Sequence, residues 1–161
     1  MQVRARAVGF TLIELVITLA MVAILASAAM PMLKLTVQRS KENDLRQHLQ
    51  QLRLAIDAYK KAVDEGRVKK TVEQSGYPPN LEVLVDGVVD EKDPKRQVIK
   101  FLRRIPADPM RNQQAPYEHA HDWGLRSYAS DANKPYFDAD VYDVYSLSPH
   151  VGTNGVPYAQ W

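Results

Sequence analysis

Glu14 is the residue whose position most strongly suggests chemistry, because it is a lone carboxylate within a long apolar stretch. The 24 residues from Phe10 to Leu33 contain one charged side chain, Glu14, and one proline, Pro31. An ionised carboxylate in hydrocarbon is costly and is normally paired or turned toward protein. The stretch offers no Lys, Arg or His as a partner. Glu14 is therefore neutralised by a cation from outside the stretch, or it lies at a membrane interface, solvated or protonated.

Two other groups of side chains could ligate a metal. They are His119, His121 and Asp122, and the weak calcium candidates Asp138, Asp140 and Asp143. A His-X-His pair on a strand places both rings on one face, but no third ligand is fixed by spacing, so a solvated loop is the simpler interpretation. The sequence has no glycine-rich phosphate loop and no nucleophile-elbow pattern. These observations favour a protein that is not an enzyme.

The apolar stretch itself has the length of a membrane span. As a helix rising ~1.5 Å per residue it would be about 36 Å long, enough to cross a ~30 Å hydrocarbon core. A secretory signal peptide would have a shorter apolar core, followed by a small-residue cleavage site. Here the small residue at the polar-to-apolar junction is Gly9, which precedes the stretch. Cleavage at Gly9 would remove the basic leader, residues 1–9, and keep the helix.

These residues carry a family resemblance. The run Gly9-Phe10-Thr11-Leu12-Ile13-Glu14 resembles the processing site of type IV pilins and of the pseudopilins of type II secretion. The resemblance implies that a prepilin peptidase cuts after Gly9 and methylates the new amine of Phe10. It also implies that Glu14 serves assembly and that Pro31 softens the helix.

Cleavage after Gly9 would supply the cation that Glu14 lacks. The new α-amine of Phe10 stays cationic when it is methylated, and it could reach Glu14 within one helix or in a neighbouring copy. Pairing with a neighbouring copy would neutralise both groups and set the stagger between chains. This is a hypothesis of polymerisation through the first helical turn.

The charge of the chain is small but unevenly spread. The formal net charge is +2, too low to indicate a nucleic-acid partner. Residues 34–70 hold ten Lys and Arg against five Asp and Glu, whereas residues 117–161 hold two against six. The basic stretch is a solvated helix face, or it meets lipid head groups or acidic neighbours. Arg4 and Arg6 in the leader favour a cytoplasmic N-terminus, and the absence of cysteine excludes a disulfide.

The helix is expected to continue beyond the span as an amphipathic half, residues 34–66. Apolar residues recur there at alternating spacings of four and three, which places them on one helical face: Leu45, Leu49, Leu52, Ile56, Tyr59 and Val63. Because only about three heptads repeat, packing against the chain's own globular part is favoured over a coiled coil. Gly66 is a plausible C-cap, so we predict one helix over residues 10–65.

Residues 67–161 are rich in proline and tyrosine, which is typical of a loop-rich domain. We predict a short helix over 81–85 capped by Asn80, an exposed charged loop over 86–95, and a short helix or turn over 98–103. Alternating residues predict strands over 123–129 and 141–147, and the tail over 148–161 is expected to wrap the sheet.

The second half narrows the resemblance to the major, G-type pseudopilin. Its matching runs are Tyr77-Pro78, Leu81-Glu82-Val83-Leu84, Ile105-Pro106-Ala107-Asp108-Pro109 and Tyr142-Asp143-Val144-Tyr145-Ser146-Leu147. That protein usually has an Asp-rich calcium loop after its Tyr-Ser-Leu strand. Residues 148–155 of this chain contain no carboxylate, which argues against calcium in that loop.

Together these features predict an α+β fold with a long N-terminal helix packed on a small antiparallel β-sheet, as in type IV pilins. Its parts are the leader 1–9, a transmembrane and assembly half 10–33, the amphipathic half 34–66, and a periplasmic domain 67–161. The expected function is a subunit of a pseudopilus that polymerises in the inner membrane and drives protein secretion, without a cofactor.

The resemblance also implies partners: further copies of the chain, minor pseudopilins, the prepilin peptidase, the inner-membrane assembly platform and membrane lipid. It places the protein in the inner membrane with a single span and a periplasmic C-terminal domain. The alternatives are a type IV pilus subunit for adhesion, motility or DNA uptake, and a signal-anchored periplasmic enzyme.

Overall fold

The computed structural model describes residues 9–111, 122–131 and 133–161, with only the backbone of residues 28–31. His119 and His121 lie outside the described residues. The chain divides into two compact units, one ending at Arg39 and the other covering Ser40–Trp161. Each unit is described by itself below.

A single long helix, α1, covers Leu12–Asp64 and confirms the predicted N-terminal helix. It includes Pro31, whose softening effect stays a prediction. The helix ends where glycine allows the chain to turn: Gly66 has a φ of 70° and donates its N–H to the carbonyl oxygen of Val63 at 2.8 Å. A left-handed glycine just past the last turn is a common helix terminator.

The predicted apolar stripe of α1 forms the core of the second unit. All six of its residues, from Leu45 to Val63, are buried. They pack in one cluster with Leu81, Leu84, Trp123 and Val144 from the loop-rich domain. The heptad-like spacing therefore marks intramolecular packing, as predicted.

The short helix α2 covers Glu82–Asp86, one residue later than expected. Asn80 still acts at its start, since its side-chain oxygen accepts a hydrogen bond from the N–H of Val83 at 3.0 Å. Gly87 ends the helix with a φ of 87°. A β-carbon there would lie 2.6 Å from the carbonyl oxygen of Ile99, so the position needs glycine.

Residues 88–99 form a β-hairpin, which corrects two predictions. Strand β1, Val88–Val89, pairs antiparallel with β2, Val98–Ile99. The loop predicted over 86–95 therefore contains a strand, and the helix or turn predicted over 98–103 begins with one. The connecting turn is ordered by Asp90, whose carboxylate accepts bonds from Arg67 and from the N–H of Lys92. The hydrogen bond from Arg67 lowers the pKa of Asp90 below its usual range.

The two longer strands agree with prediction but are shorter. Strand β3, Trp123–Arg126, pairs antiparallel with β4, Asp143–Ser146, with Trp123 opposite Ser146. The β3–β4 pair and the β1–β2 pair are separate two-stranded sheets among the described residues, where one sheet was predicted. The coarse α+β architecture holds.

The segment 105–110 fastens both longer strands to α1. The carbonyl oxygen of Pro106 accepts from the indole N–H of Trp123 at 2.8 Å, and that of Ala107 lies 2.9 Å from Nδ1 of His48. The buried carboxylate of Asp108 accepts from the hydroxyl of Ser146 at 2.5 Å. Burial raises the pKa of Asp108.

The tail packs on α1 as well as on the sheet. Val151 forms a bridge with Pro157, and a short 3-10 helix covers Tyr158–Gln160 against β4. The prediction that it wraps the sheet is incomplete, because Thr153 and Tyr158 are bound to Glu42 of α1.

Candidate functional site

The first turn of α1 is capped by Thr11. Its hydroxyl accepts a hydrogen bond from the N–H of Glu14 at 3.3 Å, and its carbonyl oxygen accepts from Leu15 at 3.2 Å. Thr11 thus closes the helix start and fixes Glu14 three residues into it. The predicted site did not include Thr11, although Thr-x-x-Glu is the sequence of a capping box and could have been recognised.

The side chain of Glu14 is exposed in an apolar surrounding. Phe10 is 80% exposed and Leu12 is 83% exposed. Among the described residues, none gives the carboxylate of Glu14 a hydrogen bond or an ion pair. The N-terminal end of the helix dipole favours a negative charge here, but by less than the cost of an unpaired charge in lipid. The carboxylate of Glu14 is thus open to groups outside the described chain.

The helical turns that follow expose an apolar surface. Within the described residues, α1 is the one helix long and apolar enough to span a membrane. Its hydroxyls are satisfied by its own backbone: Thr18 donates to the carbonyl oxygen of Leu15 at 2.9 Å, and Ser27 to that of Ile24 at 2.7 Å. Such internal bonds remove the need for water, as hydrocarbon requires.

Gly9 lies just before this helix in open space. No described atom lies within 4 Å of where a β-carbon would stand, and its φ is not in the left-handed region. Neither packing nor backbone conformation in the described chain requires glycine here.

The three predicted aspartates do not converge on one site. Asp143 pairs with Nε of Arg53 at 2.8 Å and Nη2 of Arg126 at 3.1 Å. Asp140 accepts bonds from the hydroxyl of Ser75 and the N–H of Tyr128, and Asp138 is exposed. Across the described parts of the chain, no three His, Cys, Asp or Glu side chains are grouped to hold a metal ion.

Asp122 of the predicted His-containing group pairs with Arg111 at 3.5 Å. The two histidines of that group are not described, so this candidate stays a prediction.

Comparisons of the chain with protein-family models, with curated proteins and with solved structures found no match. The resemblance to pseudopilins therefore rests on the residues quoted above.

The sequence-based site also did not include Glu42, which is 3% exposed. Its carboxylate accepts hydrogen bonds from the N–H and hydroxyl of Thr153 and from the hydroxyl of Tyr158, at 2.7, 2.5 and 2.9 Å. Thr153 belongs to the segment 148–155, which contains no carboxylate of its own. A helix carboxylate here fastens the tail directly.

Proposed function

We propose that the chain is a pseudopilin, a subunit of a filament that polymerises in the inner membrane and serves protein secretion. The observation that carries this proposal is the state of Glu14: an exposed carboxylate with no described partner, in the first turn of an exposed apolar helix that follows Gly9 and Phe10. A mere membrane tether loses more than it gains from such a charge, since the cost of inserting it exceeds the favourable helix-dipole interaction.

Assembly gives the charge a purpose. After removal of residues 1–9, the amine of Phe10 of one copy pairs with Glu14 of a neighbour. This ion pair neutralises the charges of both groups within the membrane and fixes the axial register of the helices. The apolar surface that follows Glu14 packs against neighbouring copies or lipid, and the chain has a structural role without catalysis. Its C-terminal domain lies in the periplasm.

The experiment compares Glu14→Gln and Glu14→Leu with Thr11→Ala. Gln keeps the side-chain shape and satisfies a capping box as well as Glu does, but it lacks the charge. Thr11→Ala removes the helix cap, at a cost of about 1 kcal/mol, and keeps the charge. Both Glu14 variants should insert and be cleaved yet form no filament, whereas Thr11→Ala should assemble.

Filament yield and secretion are measured at equal amounts of protein in the membrane. Normal assembly of Glu14→Gln would show that assembly does not need the charge of Glu14. Absence of filaments from the wild-type chain would favour the tethered-enzyme alternative. Surface pili scored in the same cells separate a pilus subunit from a secretion subunit.

A further inference from the structure

A groove runs along the second unit between α1 and the tail. It has a volume of about 510 Å³, and its lining includes Arg46, Gln50 and Leu54 from α1 and Asn154, Val156 and Trp161 from the tail. Clefts that hold ligands or side chains span roughly 300–1,000 Å³. The groove is therefore large enough for an aromatic side chain.

The lining of the groove is mainly apolar, and its charged residues are Arg46, Arg53 and Asp57. Leu54 is 59% exposed although it lies within the helix that forms the core. The guanidinium of Arg46 lies 4.3 Å from the centre of the Trp161 ring, and Arg46 is an exposed residue with no acidic partner among the described residues. An arginine beside a tryptophan and open apolar side chains is the composition of a protein-binding hot spot.

The groove is preformed. Nη2 of Arg53 donates to the main-chain oxygen of Trp161 at 2.8 Å, and the indole N–H of Trp161 donates to Val156 at 3.2 Å. The first bond holds the tail wall against α1, and the second braces the tail internally. Binding here does not need to order the tail first, which lowers the entropic cost of association.

A second surface of the same unit has the complementary character. Phe137 is 51% exposed and is followed by Asp138, whose carboxylate is exposed and has no described partner. Ser127 holds both neighbours of Phe137: its N–H donates to the carbonyl oxygen of Tyr136 at 3.0 Å, and its hydroxyl accepts from the N–H of Asp138 at 2.8 Å. The phenyl ring is thus displayed on a rigid turn beside an acid.

Resting on the filament proposed above, we infer that Phe137 of one copy seats in the groove of the next, with its Asp138 facing Arg46. Charge favours this occupant at one point, since Asp138 and Arg46 are exposed and opposite in sign and neither has an ion-pair partner among the described residues. The other arginine of the groove, Arg53, is already paired with Asp143. The donor loop and the acceptor groove are different surfaces of one chain. Such a head-to-tail contact builds open-ended assemblies, as a filament requires.

Cysteine crosslinking tests the contact, and the absence of native cysteine makes the result unambiguous. Full-length Gln50→Cys and Ala139→Cys chains with different tags are co-expressed, and filaments are treated with a short bis-maleimide. Both positions are exposed, and both replacements keep Leu54, Phe137 and Asp138. A dimer with both tags should form. The control pair replaces Ala139→Cys by Val98→Cys, an exposed residue of β2.

A charge exchange gives a second test. Arg46→Glu and Asp138→Arg should each lower filament yield roughly tenfold, or about 1.4 kcal/mol, and the double variant should recover it. Lys41→Glu, an exposed reversal on the same helix, should have little effect.

Normal filaments without the mixed dimer, equal crosslinking of the control, or no recovery in the double variant would overturn the groove contact alone. If the wild-type chain forms no filament, the proposed function fails together with it.

Discussion

The carboxylate of Glu42 holds Thr153 through two hydrogen bonds, 2.7 Å to its N–H and 2.5 Å to its hydroxyl. The two residues are 111 positions apart in the chain, so this contact ties the middle of α1 to the tail. Tyr158 binds the same carboxylate, so one buried side chain holds two residues of the tail.

Replacing Glu42 should therefore loosen the tail. We expect Glu42→Ala to lower the free energy of unfolding by about 2–3 kcal/mol, the scale of hydrogen bonds to a charged group. Asp44→Ala, an exposed acid on the same helix, should change it by less than about 0.5 kcal/mol. Chemical denaturation of the full chain in detergent measures both. Equal stability of the two variants would show that Glu42 does not fasten the tail.

The buried Asp108 should make stability depend on pH. Burial raises its pKa in the folded chain, so between the unfolded pKa of about 3.9 and the raised value the folded state binds more protons than the unfolded state. Stability from this group therefore falls as pH rises through that window. The Asp108→Asn variant should lack this decline. The free energy of unfolding of the wild type should therefore fall relative to that of the variant as pH rises through the window. Parallel profiles for wild type and variant would contradict the assignment.

The register of β3 and β4 can be tested at Gly124. A β-carbon there would lie 2.3 Å from the ring of Tyr145, its cross-strand partner. Gly124→Ala should cost about 1–3 kcal/mol, because an inserted methyl must displace the ring. The same change in a Tyr145→Ala background should cost far less, and a double-mutant cycle measures the coupling. Additive effects would argue against this register.

Helical periodicity made much of this fold predictable from the sequence. The stripe from Leu45 to Val63 repeats at helical spacing over several turns, so both the helix and its buried face could be read directly. The hairpin of β1 and β2 could not be predicted in this way, since strands of two residues show no alternation. Its sequence shows only two β-branched dipeptides separated by a charged turn.

Residues of the candidate site could be predicted where the pattern involves only neighbours in the sequence. Glu14 stands out as one charge in an apolar run, and Thr11 could have been found from its spacing to Glu14. Glu42 could not, because it lies in a basic stretch of polar residues and its partners are more than 100 residues away. A single polar contact between distant residues, unlike a buried helical stripe, leaves no repeating pattern in the sequence around it.

Gly9→Ala should separate folding from processing. Because no described atom approaches the missing β-carbon, the variant should fold and insert as the wild type does. Cleavage should be lost if a peptidase requires glycine there. Immunoblotting of membranes resolves the uncleaved chain from the mature one. Full processing of Gly9→Ala would mean that glycine is not required before Phe10.

The most direct test of the account is the intact mass of the protein extracted from membranes and from assembled filaments. We expect a chain that begins at Phe10 and carries one added methyl group, with the fragmentation spectrum placing that group on the N-terminal amine. A chain that still begins at Met1 in assembled material would contradict the pseudopilin proposal, because Glu14 would then have no new amine to pair with.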